Sequence, residues 1–338
     1  MKSRQPLGPG RLWATMITMV LLTIGTAALA MVMGVETLDL SRALTMPEST
    51  EHLILWNHRI PRVLQGLAVG AILGASGAAL QGLLANPLAE PFVLGVSGGA
   101  ALGATCVALT GLTLAIAEPV GGFIGALFAL VIVTVMSTRG GRVSPLAMLL
   151  VGVIFNAFAG STLMILQSVA DAHAVQRVLM RLMGSLAPDP TQPMLLPTLM
   201  GACVIGIGLT ISKSRQLNLL GLGDDTAKSL GVDCDRLRRS LFIVLSIPIG
   251  VAVAVSGLIG FVGLIVPHTV RMLVGPDHRL VVPCSALGGA AILVLADGLV
   301  RILARHIGTE LPVGVVTTFI GGPLFIWLLR QQRNMEAS

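Results

Sequence analysis

Ionisable side chains inside apolar stretches are where chemistry would have to sit, because a charge in hydrocarbon is costly and is kept only for a reason. In this chain of 338 residues they are His268, Arg271, Asp297 and Arg301. Asp297 and Arg301 stand one helical turn apart, so they can pair on one face, and a local salt bridge at the end of an apolar segment is the simplest reading. A second constellation, Gly221-Leu222-Gly223-Asp224, fits the GxGD signature of intramembrane aspartyl proteases, with Asp297 as the second carboxylate. That chemistry needs its aspartate within a span, whereas Asp224 is followed by Asp225, Thr226, Ala227 and Lys228, a plainly wet run. No Gly-Lys dipeptide and no HExxH occurs, so the chain has no P-loop and no zinc-protease signature. Any ATP hydrolysis the protein depends on must therefore come from another chain. Cys106, Cys203, Cys234 and Cys284 are far apart, form no CxxC, and read as small apolar packing residues.

The elements that position these residues are membrane helices. Hydrophobic residues make up 54% of the chain and charged residues 11%, with a mean hydropathy of +0.89. Soluble domains carry about 25% charged residues. Most of the charge-free runs reach the roughly 20 residues that cross the hydrocarbon as a helix. Alternating ten-residue segments, the mark of a β-barrel, are absent. The spans fall at about 12–34, 63–84, 92–109, 119–137, 144–168, 193–212, 240–258, 281–299 and 312–329, with a short, partly penetrating helix at 263–274. The reading is an all-α polytopic protein with ten membrane helices in a single domain over 1–338. The N-terminal run is too long for the h-region of a cleaved signal and reads as a first span. The net charge of +6 does not indicate nucleic acid, because the basic residues sit at span ends, where they report topology.

Residues 213–239 break the apolar pattern with ten of the chain's 38 charges. Leu219 to Gly231 reads as a short amphipathic helix closed by a glycine, a water-exposed handle for a soluble partner. With both termini placed in the cytoplasm, fifteen of the 22 Lys and Arg residues fall on that side, together with the handle. An offset of 180 residues aligns Arg59, Ser76-Gly77 and Pro87 with Arg239, Ser256-Gly257 and Pro267. Such an echo between oppositely directed spans would be an inverted repeat. The Gly70/Gly74, Gly95/Gly99/Gly103 and Gly121/Gly125 spacings let helices approach closely.

Several ordered motifs then resemble one family. They are Arg59-Ile-Pro-Arg62, Gly77-Ala-Ala-Leu-Gln81, Asn86-Pro-Leu-Ala-Glu-Pro91, Leu94-Gly-Val-Ser-Gly98, Gly260-Phe-Val-Gly-Leu-Ile-Val-Pro-His268-Thr-Val-Arg271, Asp277-His-Arg279, Ala296-Asp297-x3-Arg301 and Leu311-Pro-Val-Gly-Val-Val316. Together they resemble the permease subunits of ABC importers for ferric siderophores, haem and cobalamin, over nearly the whole chain. The resemblance implies a type II importer permease of the bacterial inner membrane, working as a homodimer with two ATPase subunits and a periplasmic substrate-binding protein. ATP and Mg would belong to the ATPase, and no cofactor would be bound permanently.

By resemblance, Arg59, Arg62 and Arg301 would dock the binding protein, and Asn86 and Leu88 would help close the cytoplasmic gate. Gly221, Gly223, Asp224, Asp225, Ala227, Leu230 and Gly231 would form the coupling helix gripped by the ATPase. The cargo is expected to be an iron chelate, with haem placed first and a ferric siderophore next. Met164, His173, Arg177 and Arg181 cluster near the outer mouth, where arginine suits the propionates of a haem. Cobalamin is the alternative cargo, and an ion-coupled secondary carrier is the alternative class. The shortage of buried carboxylates weighs against a carrier.

Overall fold

The computed structural model describes residues 9–34, 39–112, 114, 116–140, 142–169, 176, 180, 182–189 and 191–337. The chain opens with α1 (Pro9–Val32). Two short helices follow, α2 (Leu40–Thr45) capped by Asp39 and α3 (Thr50–Ile54) capped by Ser49. A π-helical turn, Leu55–Arg59, leads straight into α4 (Ile60–Leu83), where Pro61 occupies a first-turn position that needs no N–H partner. Then come α5 (Val96–Leu109) and α6 (Ala117–Ser137), a two-residue ladder of Thr138–Arg139 with Arg142–Val143, and α7 (Pro145–Val169). The second half holds α8 (Leu195–Ser212), α9 (Ser214–Leu220), α10 (Asp224–Ser229), α11 (Cys234–Ser256), α12 (Val262–Val274), α13 (His278–Ile307) and α14 (Val313–Ala337).

Among the described residues, seven helical segments are long and apolar enough to cross a membrane, and three shorter apolar helices lie at Val96–Leu109, Val262–Val274 and Val313–Trp327. The short helix expected at 263–274 is α12. The third expected span starts later than composition suggests, because residues 84–95 fold into turns before α5. The handle is two helices rather than one. Gly221–Gly223 breaks it, and Leu219 and Leu220 belong to α9. Gly223 at φ +98 and Gly231 at φ +85 adopt backbone angles that glycine alone takes without strain, so the first starts α10 and the second ends it.

The centre of the bundle is α4, apolar and buried all round, as expected for a helix surrounded by other helices. It reaches this position through its small residues. A Cβ on Gly70 or Gly74 would overlap the backbone of Gly289 or Ser285 in α13, and one on Gly77 would overlap the Gly263 carbonyl of α12. The Gly99/Gly103 and Gly125/Gly121 pairs bring α5 and α6 together in the same backbone-to-backbone way. Helices α4 and α13 run antiparallel. Arg62 near the start of α4 meets Asp297 late in α13, while Gly82 near the end of α4 faces His278 at the start of α13. The 24 residues of α4 span about 36 Å, so these two ends are about a membrane apart. By contrast α1, α7 and α14 turn broad apolar faces outward, including Phe158, Met164, Phe319 and Trp327.

Candidate functional site

Three groups of residues carry the polar geometry. The first lies at the start of α4. Helix α1 ends without a basic residue in its last turn, so its terminal carbonyls lack partners. Two arginines from elsewhere supply them. Arg59 Nη1 donates to the Met31 and Val32 carbonyls at 2.7 and 3.0 Å. Arg301 Nη1 and Nη2 donate to the Met33 and Ala30 carbonyls at 2.7 and 2.9 Å. Cations are favoured there by the helix dipole as well. Asp297 is 2% exposed and holds two guanidiniums at once. Its Oδ2 lies 3.0 Å from Arg301 Nε, the pair expected from the i, i+4 spacing. Arg62 adds Nη2 to Oδ1 at 2.9 Å and Nε to both oxygens at 3.0–3.1 Å. Arg62 Nη1 also reaches Glu310 at 3.2 Å. The expected docking residues Arg59, Arg62 and Arg301 are thus brought together: Arg59 ties the start of α4 to α1, Arg62 ties α4 to α13, and Arg301 ties α13 to the end of α1.

The second group lies past the end of α4. Asn86 Oδ1 accepts the Leu88 N–H at 2.8 Å, a tight side-chain turn that leaves Leu88 exposed and Ala89 buried. The next acidic residue, Glu90, accepts the Phe261 N–H, while its Oε2 is buried without a hydrogen-bond partner among the described residues. Burial pushes this carboxyl up to about 7. Phe261 stands at φ +67, unusual for a bulky side chain, and its ring fills the space left open by Gly321 of α14. Gln81 donates to the Gly263 and Leu264 carbonyls at 3.3 and 3.1 Å. Gly263 needs this donor, because the residue four ahead is Pro267, which has no N–H. Arg271 then donates to Gln81 Oε1 and, at 3.2 Å, to the Ala78 carbonyl.

The third group is the handle. Arg238 of α11 grips Asp224 with two hydrogen bonds, at 2.7 and 2.8 Å. The Arg238 guanidinium holds the Asp224 carboxyl below its ordinary value. Asp235 accepts the Val143 N–H at 3.1 Å, tying the ladder after α6 to α11. Asn218 of α9 reaches Asp277 at 2.6 Å and accepts the His278 N–H at 2.8 Å. The handle is therefore fastened to both α11 and α13. Asp225, Leu230 and Gly231 remain on its exposed side, and Ala227 is buried beneath it. Of the expected path residues, Met164 is exposed on α7, and His173, Arg177 and Arg181 lie outside the described residues.

Sequence reasoning missed Glu90, Glu310, and the partners of Arg62, Gln81 and Arg238. Only Gln81 had a readable signal, a proline inside an apolar helix that must orphan one carbonyl.

The family model described as the FecCD transport family matches residues 16–331. The chain belongs to the FecCD transport family. Its FecCD relatives include the hemin transport system permease protein HmuU of Yersinia pestis, 38% identical over 95% of this chain and 96% of that one. The cobalamin import system permease protein BtuC of Halobacterium salinarum is 39% identical over 85% and 76% of the two chains. The Fe(3+)-citrate import system permease protein YfmD of Bacillus subtilis is 38% identical over 85% and 84%. Among solved structures, an inward-facing metal-chelate type ABC transporter superposes with a TM-score of 0.83 at 31% identity, covering 94% of this chain and 98% of that one. This FecCD chain is accordingly a multi-span permease subunit of a type II ABC importer. It is not an enzyme, its ATPase is a separate subunit, and the transporter includes a substrate-binding partner. The protease and ion-coupled carrier readings fall with that assignment.

Proposed function

We propose that this permease imports an iron chelate across a bacterial inner membrane, with haem as the first candidate and a ferric siderophore next. The observation that carries the cargo reading is the hemin relative, aligned over 95% of this chain and nearly all of its own. Two copies would form the pathway, with the apolar faces of α7 and α14 turned toward each other. Two ATPase subunits would grip Gly221, Gly223, Asp224, Asp225, Ala227, Leu230 and Gly231 from the cytoplasm. The three shorter apolar helices would complete ten crossings, leaving both termini in the cytoplasm. Asn86 and Leu88 would close the inner gate, and a periplasmic binding protein would dock at Arg59, Arg62 and Arg301. Met164, His173, Arg177 and Arg181 would line the entrance. ATP and Mg would be bound by the ATPase subunits, and the permease would hold no permanent cofactor.

Cobalamin is the second reading, favoured by relatives such as the vitamin B12 import permease of Vibrio cholerae, 40% identical over 83% of this chain. The deciding experiment is ATP-dependent uptake into vesicles holding the assembled transporter, offered haem, a ferric siderophore and cobalamin in turn, each with a binding protein that carries it. Uptake of haem alone supports the first reading. Uptake of cobalamin alone replaces it.

A further inference from the structure

We infer that Glu310 is a built-in placeholder for the carboxylate of the docking partner, so that docking at this face exchanges one carboxylate for another on Arg62. The inference rests on the docking role proposed above for the arginine cluster.

The two carboxylates on Arg62 are not equivalent. Asp297 takes the Nε and Nη2 edge, is buried, and is itself held by Arg301, so it cannot leave. Glu310 takes Nη1 at 3.2 and 3.4 Å, the longest contacts of the set, and its side chain is 48% exposed. Exposed ion pairs contribute little, because water solvates both partners nearly as well apart. Arg59 and Arg301 have donors committed to the carbonyls that end α1, and drawing them outward would unfasten that helix. Arg62 Nη1 is therefore the donor that an acidic side chain can take over at least cost. A cavity of about 390 Å³ lies beside it, bordered by Arg59, Arg62, Arg301, Pro188 and Glu310. Gly34 opens it further, since a Cβ there would collide with the Arg59 guanidinium.

Release of Glu310 removes one negative charge from Arg62 as the partner's carboxylate brings one, so the exchange leaves the local charge unchanged. Glu310 also sits two residues before Pro312 at the head of α14, next to the backbone contact of Gly314 with Gly184. Exchange on Arg62 therefore frees the segment that leads into α14, which joins docking to a helix of the proposed pathway.

The test uses the full transporter in nanodiscs, titrated with the substrate-binding protein that activates it. Glu310→Gln keeps the size and removes the competing charge. The expected result is tighter binding, by roughly two- to fivefold, the range an exposed pair allows. Arg62→Ala is expected to weaken binding, and the gain from Glu310→Gln should vanish in that background. If Arg62→Ala does not assemble, Arg62→Lys takes its place, keeping a charge on Asp297 while removing the outward donor. Unchanged or weaker binding by Glu310→Gln, with Arg62→Ala still weakening it, overturns the exchange and leaves docking intact. Full binding by the Arg62 variant overturns the docking reading itself.

Discussion

Asp224 and Arg238 form a two-pronged pair across the turn between α10 and α11, with the guanidinium 7% exposed and the carboxylate 44% exposed. A mostly buried cation thus anchors a mostly wet helix, which suits a part that must be held from outside and still move α11.

The first prediction concerns this anchor. Asp224→Asn leaves the Arg238 guanidinium buried without its carboxylate, which costs more than a surface pair is worth. Uptake should fall sharply while the ATPase subunits still co-purify, and exchanging the two residues (Asp224→Arg with Arg238→Asp) should restore part of it. The pH dependence has a definite sign. Arg238 lowers the Asp224 pKa from 3.8, so the stabilisation is full above that value and disappears as pH falls through the lower folded value. The difference in melting temperature between the parent and Asp224→Asn should be constant through neutral pH and close only in acid.

The second concerns Asp297. Its removal leaves Arg62 and Arg301 facing each other in a buried site. Breaking a buried pair from one side costs about 3–5 kcal/mol. Asp297→Ala should lower the melting temperature of the purified protein more than Glu310→Gln does. Equal effects would show that the inner carboxylate is no more structural than the outer one.

The third tests the role assigned to Gln81. Gln81→Leu strips the Gly263 carbonyl of its donor, and an orphaned buried polar group costs roughly 1–3 kcal/mol. Pro267→Ala returns an N–H to α12 that can satisfy the same carbonyl. The double variant should therefore melt above Gln81→Leu alone. It should not reach the parent, because Arg271 has still lost Gln81 Oε1.

The fourth tests close approach. A Cβ on Gly77 would stand 2.6 and 2.7 Å from the carbonyl carbon and Cα of Gly263, backbone atoms that cannot rotate away. Gly77→Ala should destabilise the fold by about 1–3 kcal/mol, the usual cost of overpacking. Gly122→Ala, whose new methyl would meet its nearest neighbour at 3.4 Å, is the matched control and should be far milder. Thermal unfolding in detergent measures both.

The chain alone determined what is local in it. Apolar run length set the helices, the charge island at 213–239 marked the handle, and the Asp297/Arg301 spacing announced one salt bridge, because each depends only on neighbours along the sequence. Tertiary structure decided who meets whom. Arg62 and Asp297 are 235 positions apart, and Gln81 and Gly263 are 182 apart. No periodicity encodes such pairs, since they depend on which helices the glycines allow to touch. The resemblance alone gives Arg59, Arg62 and Arg301 a docking role. Packing turned Arg59 and Arg301 inward, because the carbonyls that end α1 needed donors and the buried Asp297 needed a charge. The handle shows the same division. Its wetness was written in composition, but its split at Gly221–Gly223 and its anchorage to Arg238 followed from how α9 and α10 had to fit against α11 and α13.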